Sequence, residues 1–153
     1  MASLIQTEME ANALLREHGL WDKGWRFQWD NARRRGGAAH FTTKRITMSR
    51  HLVPLWEPAE VTQTLVHEVA HALVGHEVGH GPAWRAKMRE LGARPDATHS
   101  NPTVQGRYLA RCPGCQKDVY RAHRWTKAMA QGRHYHKPCG RPLLWFDTQG
   151  TKV

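Results

Sequence analysis

Apolar residues in the first fifty positions recur with two periods, which predict one helix and three short strands. Residues 3–17 carry apolar side chains at helical spacing and are followed by a glycine that suits a helix end. Residues 25–29 alternate large aromatic and polar side chains, as a strand with one buried face does. Residues 38–43 and 45–49 predict two further strands. The short connections favour an antiparallel sheet.

Two more helices are predicted after the strands. Pro58 suits the first position of a helix, and apolar side chains recur at helical spacing up to residue 74. Pro82 begins a second helix that ends near Gly92, and residues 94–106 are rich in turn-forming residues. The pattern predicts an α+β fold in which helices accompany a short β-sheet. The chain is expected to divide into a core over 1–106, a small unit over 107–146 and a tail over 147–153.

The positive charge of the chain is concentrated in its last third. The formal net charge is +10, and residues 107–141 hold nine basic residues and one acidic residue, which leaves +2 for the rest. A local basic excess indicates a polyanionic partner, most often nucleic acid, and DNA is the partner we expect. The competing interpretation is a solvated basic surface that aids solubility.

Three features of the sequence bear on its cellular compartment. No stretch approaches the roughly 20 apolar residues of a membrane span. Glu8 and Glu10 stand near the N-terminus, and no basic cluster precedes its apolar residues, unlike a secretory signal. Three cysteines, an odd number, argue against a disulfide framework. The sequence predicts a cytoplasmic protein, associated with the nucleoid if it binds DNA, and neither secreted nor membrane-bound.

A short motif in the second predicted helix, HExxH, groups side chains suited to a metal site. His67 and His71 are four residues apart, so both imidazoles lie on one face of the helix. Zinc binds imidazole nitrogen, and catalytic zinc sites use three protein ligands and leave the fourth position to water. Glu68 follows the first histidine and predicts a general base that deprotonates this water. The competing interpretation is a pair of surface histidines without a metal.

The third ligand has to come from the residues after this helix. His80 is favoured because the glycines on both sides of it let the chain turn back toward the metal. His76 follows His71 by five residues, too few for a straight helix to aim both at one ion. Glu77 would suit a different arrangement, but its spacing is short. The predicted catalytic Zn²⁺ site therefore consists of His67, His71 and His80, with Glu68 as the base.

Four residues near the C-terminus repeat one spacing. Cys112 and Cys115 are separated by two residues, and His136 and Cys139 have the same separation. Two such pairs can close a tetrahedral site with four protein ligands, which leaves no position for water and predicts a structural Zn²⁺. His134 is an alternative fourth ligand with a less regular spacing.

The sequence around these four residues predicts a zinc-ribbon-like unit. Residues 119–121 and 143–145 would supply its short strands. Unrelated free cysteines or a redox pair are the other interpretations of the motif. A redox CxxC opens a helix in a thioredoxin-like unit, and no such pattern surrounds Cys112.

Residues 64–84 resemble the SprT-like metalloprotease family, which includes Spartan and its relatives. The motif HExxH is followed there by Gly79-His80-Gly81-Pro82 and then Trp84. Residues 25–37 and 45–52 are also similar to the family, so the resemblance covers about residues 5–141. It implies a zincin-like core, Zn²⁺ on the three histidines, Glu68 as the base and cleavage of peptide bonds. Family members often end in a zinc ribbon, usually with four cysteines, so His136 is a departure.

Taken together, these features predict a zinc-dependent endopeptidase that acts on proteins or peptides. The family's eukaryotic members digest proteins trapped on DNA, which makes DNA-associated substrates one expectation. A peptide is expected to pair with an exposed strand edge, for which residues 45–49 are proposed. Arg107, Tyr108 and His99 are the conceivable oxyanion-stabilising residues.

Two other functions remain open at the level of sequence. One is a nucleic-acid-binding zinc protein without relevant peptidase activity. The other is an interaction protein on a decayed protease fold. The intact Glu68 argues against both, because a decayed site has no need of the base.

Overall fold

A computed structural model describes residues 1–149 of the 153-residue chain. The chain forms two compact units, Met1–Val104 and a second that begins at Gln105. Most of the predicted tail over 147–153 therefore lies outside the described residues. Helices and small sheets occur together, so the α+β prediction is confirmed. Among the described residues, no helix is both long enough and apolar enough to cross a membrane.

The first unit combines three helices with a three-stranded sheet. Its elements in chain order are α1 Leu4–Glu17, β1 Arg26–Asp30, β2 Gly37–His40, β3 Arg45–Ser49, α2 Pro58–Val74 and α3 Pro82–Glu90. Strand β3 and helix α2 have the predicted bounds. Ser3 caps α1 by accepting a hydrogen bond from the backbone N–H of Gln6, and proline occupies the first turn of α2 and α3.

The sheet order is β1-β3-β2, so β3 is the central strand and β2 an edge strand. Strand β2 is antiparallel to β3, but β1 is parallel to β3, which corrects the prediction of an antiparallel sheet. The chain runs along β1, returns along β2 and enters between them as β3. Strands β1 and β3 therefore point the same way. The short loop after β1 leads to β2, which does not pair with β1. Sequence spacing does not reveal this.

The core of the first unit lies between α2 and the sheet. Leu65 and Val69 of α2 are buried, and Ile46 and Met48 of β3 are buried on the sheet side. Two clusters of buried apolar residues join these elements with α1. Burying apolar surface at about 25 cal/mol per Å² stabilises this arrangement and fixes the position of α2 over the sheet.

The second unit is smaller and built from short strands. Its elements are β4 Tyr108–Arg111, β5 Asp118–Ala122, the short helix α4 Lys127–Ala130, β6 Tyr135–His136, β7 Arg141–Pro142 and β8 Leu144–Asp147. One sheet has the order β5-β4-β8 with antiparallel pairing, and β6 pairs with β7. The buried core contains five residues: Ala110, Cys112, Met129, Leu143 and Trp145. So small a core leaves the unit dependent on further cross-links.

Candidate active site and metal clusters

Helix α2 presents two histidines on one face, and a turn after the helix brings a third to them. The Nε2 atoms of His67 and His71 are 3.2 Å apart, one helical turn from each other. The Nε2 atom of His80 lies 3.0 Å from that of His71 and 3.1 Å from that of His67. The structure thus brings together the three histidines that the sequence predicts as one ligand set.

Glycines allow the chain to turn back after α2. Gly75 ends the helix with φ of 93°, and Gly79 has φ of 50°, backbone conformations that favour glycine. A short 3-10 turn, His76–Val78, lies between them. Arg85 then donates a hydrogen bond from Nε to the backbone carbonyl of His80 at 3.1 Å and holds the returning segment in place.

Trp84 forms a platform beneath the three imidazoles. Its ring centroid lies 4.6 Å from that of His67, 4.7 Å from that of His80 and 5.3 Å from that of His71. The side chain is fully buried, and its Nε1 donates a hydrogen bond to the backbone carbonyl of His67 at 3.3 Å. The aromatic residue in the family motif therefore orients the histidines, a role that sequence spacing alone did not assign.

The chemistry of the three imidazoles fits a shared cation. Burial, followed by the neighbouring imidazoles, lowers the pKa of His67 and of His71 to about 4, so both are neutral at pH 7. Their Nε2 atoms converge with that of His80, and three imidazoles that meet through the same nitrogen cannot all donate hydrogen bonds to one another. Ligand nitrogens of a tetrahedral zinc site are about 3.3–3.4 Å apart, close to the separations seen here. The site therefore fits Zn²⁺.

Glu68 lies beside the histidines but faces strand β2. The residue is 7 % exposed, and burial raises the pKa of its carboxyl to about 8. The charge of Arg35 and a hydrogen bond from the backbone N–H of Ala39 oppose this increase. A dication nearby would oppose it further, since opposite charge favours the ionised carboxylate. Gly37 permits the close approach, because a Cβ there would lie 3.2 Å from Cγ of Glu68.

A cleft of about 420 Å³ opens above these side chains. Strand β2 contributes one wall, the floor contains the three histidines and Glu68, and another wall includes Arg94 and residues 96–99. The backbone carbonyl of Asp96 accepts a hydrogen bond from His67 and so orients its ring. The sequence showed residues 94–106 only as rich in turn-forming residues, and no spacing rule connects this wall to the HExxH motif.

The other residues considered from sequence have different positions. His76 lines the cleft, but its Nδ1 lies 3.4 Å from Oε1 of Glu77, and neither residue belongs to the histidine cluster. Of the conceivable oxyanion-stabilising residues, His99 lines the cleft. Arg107 and Tyr108 belong to the second unit, where Arg107 pairs with Asp147 through Nη2 and Oδ2 at 2.7 Å.

A second cluster in the smaller unit joins the two predicted residue pairs. One ligand atom from each of its members lies within 4.8 Å of the others: Cys112, Cys115, His136 and Cys139. The Sγ atom of Cys115 lies 3.5 Å from Nδ1 of His136. Three sulfurs and one nitrogen form a donor set that suits tetrahedral Zn²⁺ with every position taken by protein.

The two halves of this cluster share one backbone geometry. Gln116 donates a backbone hydrogen bond to the carbonyl of Cys112 at 2.9 Å, and Gly140 donates one to His136 at 2.8 Å. Both donor residues directly follow a cysteine of the cluster and have positive φ, 62° and 60°. The repeated spacing in the sequence therefore corresponds to a repeated turn, which aims two ligands from each half at a common point.

Two thiols of this cluster, those of Cys112 and Cys139, have pKa values shifted in opposite directions. Backbone N–H donors, first that of Cys115, lower the pKa of Cys112 to about 6. Burial and the neighbouring thiols raise the pKa of Cys139 to about 11. A divalent cation bound by the cluster would favour the ionised form of all three thiols together.

His134, the alternative fourth ligand, is not in the cluster. Its ring centroid lies 5.6 Å from that of Trp145 at an interplanar angle of 81°, and its Nε2 is buried without a hydrogen-bond partner. The residue packs against the small core of the second unit. The structure thus places His136 with the cysteines.

Comparisons with known proteins agree with this arrangement. The model of the SprT-like family matches residues 8–105, which include the histidine site. A protein named Protein SprT from Pseudomonas putida is 31% identical over 122 residues, 72% of this chain and 74% of the relative. Protein SprT from Pseudomonas entomophila is 31% identical over 111 residues, 66% of this chain and 67% of the relative. No solved structure matches. The chain therefore belongs to the SprT-like family.

Proposed function

We propose that this protein is a zinc-dependent endopeptidase. The observation that carries the proposal is the convergence of three histidine Nε2 atoms, 3.0–3.2 Å apart, next to the buried carboxylate of Glu68 in an open cleft. Three protein ligands leave a tetrahedral ion one open position, as hydrolytic zinc sites require. Family membership supports the same reading.

The first unit is proposed to be a zincin-like core. Helix α2 carries two ligands and the base, and the following turn supplies the third ligand. The sheet lies against α2 with β2 at the side of the cleft. This arrangement leaves the floor of the cleft rigid, because α2 packs through buried Leu65 and Val69.

Strand β2 is the proposed binding edge for substrate. It pairs with β3 on one side, while Gly37, Ala38 and Ala39 line the cleft. An extended peptide can add to such an edge through main-chain hydrogen bonds. The expectation that residues 45–49 provide the edge is wrong, because β3 is the central strand. Main-chain hydrogen bonds discriminate little between the side chains of the substrate, so peptides with a broad range of sequences should be cleaved.

The chain's own residues supply the proton chemistry. His67, His71 and His80 would hold Zn²⁺, which when bound would supply a Lewis acid for the scissile carbonyl and for water. Glu68 accepts a proton from the attacking water and delivers it to the departing amine. Arg35 and the N–H of Ala39 favour the ionised carboxylate that this role needs. The carbonyl of Asp96 keeps His67 in the ligand tautomer.

The second unit is proposed to be a structural zinc ribbon that binds DNA. Its four ligands, three cysteines and His136, leave no position for catalysis. Arg124 and Lys127 are exposed on either side of exposed Trp125, and Tyr120 is 51% exposed. Cations can neutralise phosphates while aromatic rings stack on unpaired bases. Proteins associated with DNA are therefore the proposed substrates.

The first test of the proposal is metal dependence. The purified full-length chain with zinc bound should cleave unfolded casein, and a chelator such as 1,10-phenanthroline should abolish the cleavage. Re-addition of Zn²⁺ should restore it, because the three histidines then regain their ion. Cleavage that persists after complete zinc removal would refute the enzyme. Zinc binding without any cleavage would favour the alternative, a nucleic-acid-binding zinc protein.

The second test concerns the basic unit. The double variant R124A/K127A should weaken binding to single-stranded DNA at least several-fold and reduce its salt dependence, measured by fluorescence anisotropy at several salt concentrations. Arg107→Ala is the matched control, because Arg107 is already paired with Asp147 and is expected to contribute less. Negligible DNA affinity of the wild-type chain at low salt would contradict the assignment, as would equal affinity of the double variant.

A further inference from the structure

His99 lies on a wall of the cleft that α2 holds in place. The guanidinium of Arg94 donates to both carboxylate oxygens of Glu60 at 3.1 and 3.2 Å. The side chain of Gln63 bonds the backbone of Arg94 twice, donating to its carbonyl at 2.7 Å and accepting from its N–H at 3.1 Å. Further along, Asn101 donates from Nδ2 to Glu60 at 3.2 Å. These bonds on both sides of His99 fix the segment.

The ring of His99 has a defined position and a defined tautomer. It packs edge-to-face on Trp56 with 4.8 Å between ring centroids. Nε1 of Trp56 donates to the carbonyl of Pro102 at 2.6 Å, which ties this ring to the same segment. The backbone N–H of Asn101 donates to Nδ1 of His99 at 3.2 Å. An Nδ1 that accepts carries no hydrogen, so Nε2 of the neutral ring carries it.

Nε2 of His99 is a hydrogen-bond donor that the cleft leaves free. Among the described residues, nothing hydrogen-bonds its Nε2, and the side chain is exposed to the cleft. Three other polar side chains of the cleft are engaged: Arg35 pairs with Asp30, Gln63 holds the backbone of Arg94, and the hydroxyl of Thr64 donates to the backbone carbonyl of Glu60. His99 and His67 line the same cleft.

We propose that His99 is a further catalytic residue, whose Nε2–H donates to the carbonyl oxygen of the scissile peptide as negative charge develops on it. The inference rests on the proposed function, because it assigns a role within that reaction. A preorganised donor aimed at the developing charge stabilises the transition state more than the bound substrate. No proton is transferred in this step, so Glu68 remains the acid and base.

The test compares two replacements of His99 in the zinc-loaded full-length chain. His99→Phe keeps an aromatic ring for Trp56 but has no donor, and kcat for peptide cleavage should fall about 10²–10³-fold with KM changed little. His99→Gln offers an amide N–H and should recover roughly tenfold of that loss. Zinc content and Tm should match the wild type in both variants, which separates the donor's role from a structural one.

A neighbouring residue provides the matched control. Ser100→Ala removes the hydroxyl of an exposed residue next to His99 that does not line the cleft, and it should leave kcat near the wild-type value. A His99→Phe enzyme with wild-type kcat would overturn this inference while leaving the peptidase intact, as would an equal loss of kcat in Ser100→Ala. A wild-type chain that cleaves no peptide with zinc bound would overturn the proposed function and this inference together.

Discussion

Replacing Glu68 with glutamine is expected to slow peptide cleavage about 10²–10⁴-fold while zinc remains bound. Glutamine has nearly the same shape, and its carbonyl can still accept the hydrogen bond from Ala39, but it cannot take a proton from water. The three histidines are untouched, so the zinc content should not change. Initial rates on a fluorogenic peptide, together with zinc analysis of the same sample, measure both quantities.

Glu77→Gln is the matched control for this variant. Its carboxylate is 76% exposed, it stands in the 3-10 turn after α2, and it is not among the residues that line the cleft. The same chemical change there should leave the rate within a factor of about two, since exposed substitutions away from the site act weakly. Wild-type activity in the Glu68→Gln protein would show that Glu68 is not the general base.

The same variant should change the pH dependence of stability in the metal-free protein. In the unfolded chain Glu68 loses its proton near pH 4.3, whereas in the folded chain burial holds it up to about pH 8. The folded state therefore binds more protons between these values, and stability contributed by this group falls as pH rises through them. Urea unfolding in the presence of a chelator measures this effect. The free energy of unfolding of Glu68→Gln should rise relative to that of the wild type from pH 5 to pH 8.

The second large effect is expected in the smaller unit. Cys112→Ser should reduce bound zinc from two ions to one per chain and unfold the second unit. A structural zinc contributes on the order of 10–16 kcal/mol in small domains, and within the described part of this unit five buried residues form the core. Hydrogen exchange should show loss of amide protection in β4, β5 and β8, while α2 keeps its protection.

His134→Asn separates loss of a ligand from loss of an imidazole in this unit. His134 stands two residues before His136 but packs on Trp145 rather than joining the cluster. The variant should keep two zinc ions, whereas His136→Asn should lose one. Two zinc ions and unchanged amide protection in Cys112→Ser would contradict the structural site, and zinc loss in His134→Asn would revise its ligand set.

Several elements could be predicted from the sequence because their causes are local. The bounds of α2, Pro58–Val74, follow from a proline at the start, helical spacing of apolar residues and a glycine after the end. Strand β3 also has its predicted bounds. The strand β4 and the short helix α4 were not predicted, because segments of only four residues carry little periodicity of their own.

The sequence by itself determined which side chains share a turn. His67 and His71 lie on one face because of the helical period, and each pair in the second cluster lies in one tight turn. Only the tertiary structure decided which distant segments meet. It placed β3 at the centre and β2 at the edge, buried Glu68 beside Ala39, and brought His99 to the cleft. Such contacts depend on packing between segments far apart in the chain, so the local periodicity of the sequence does not predict them.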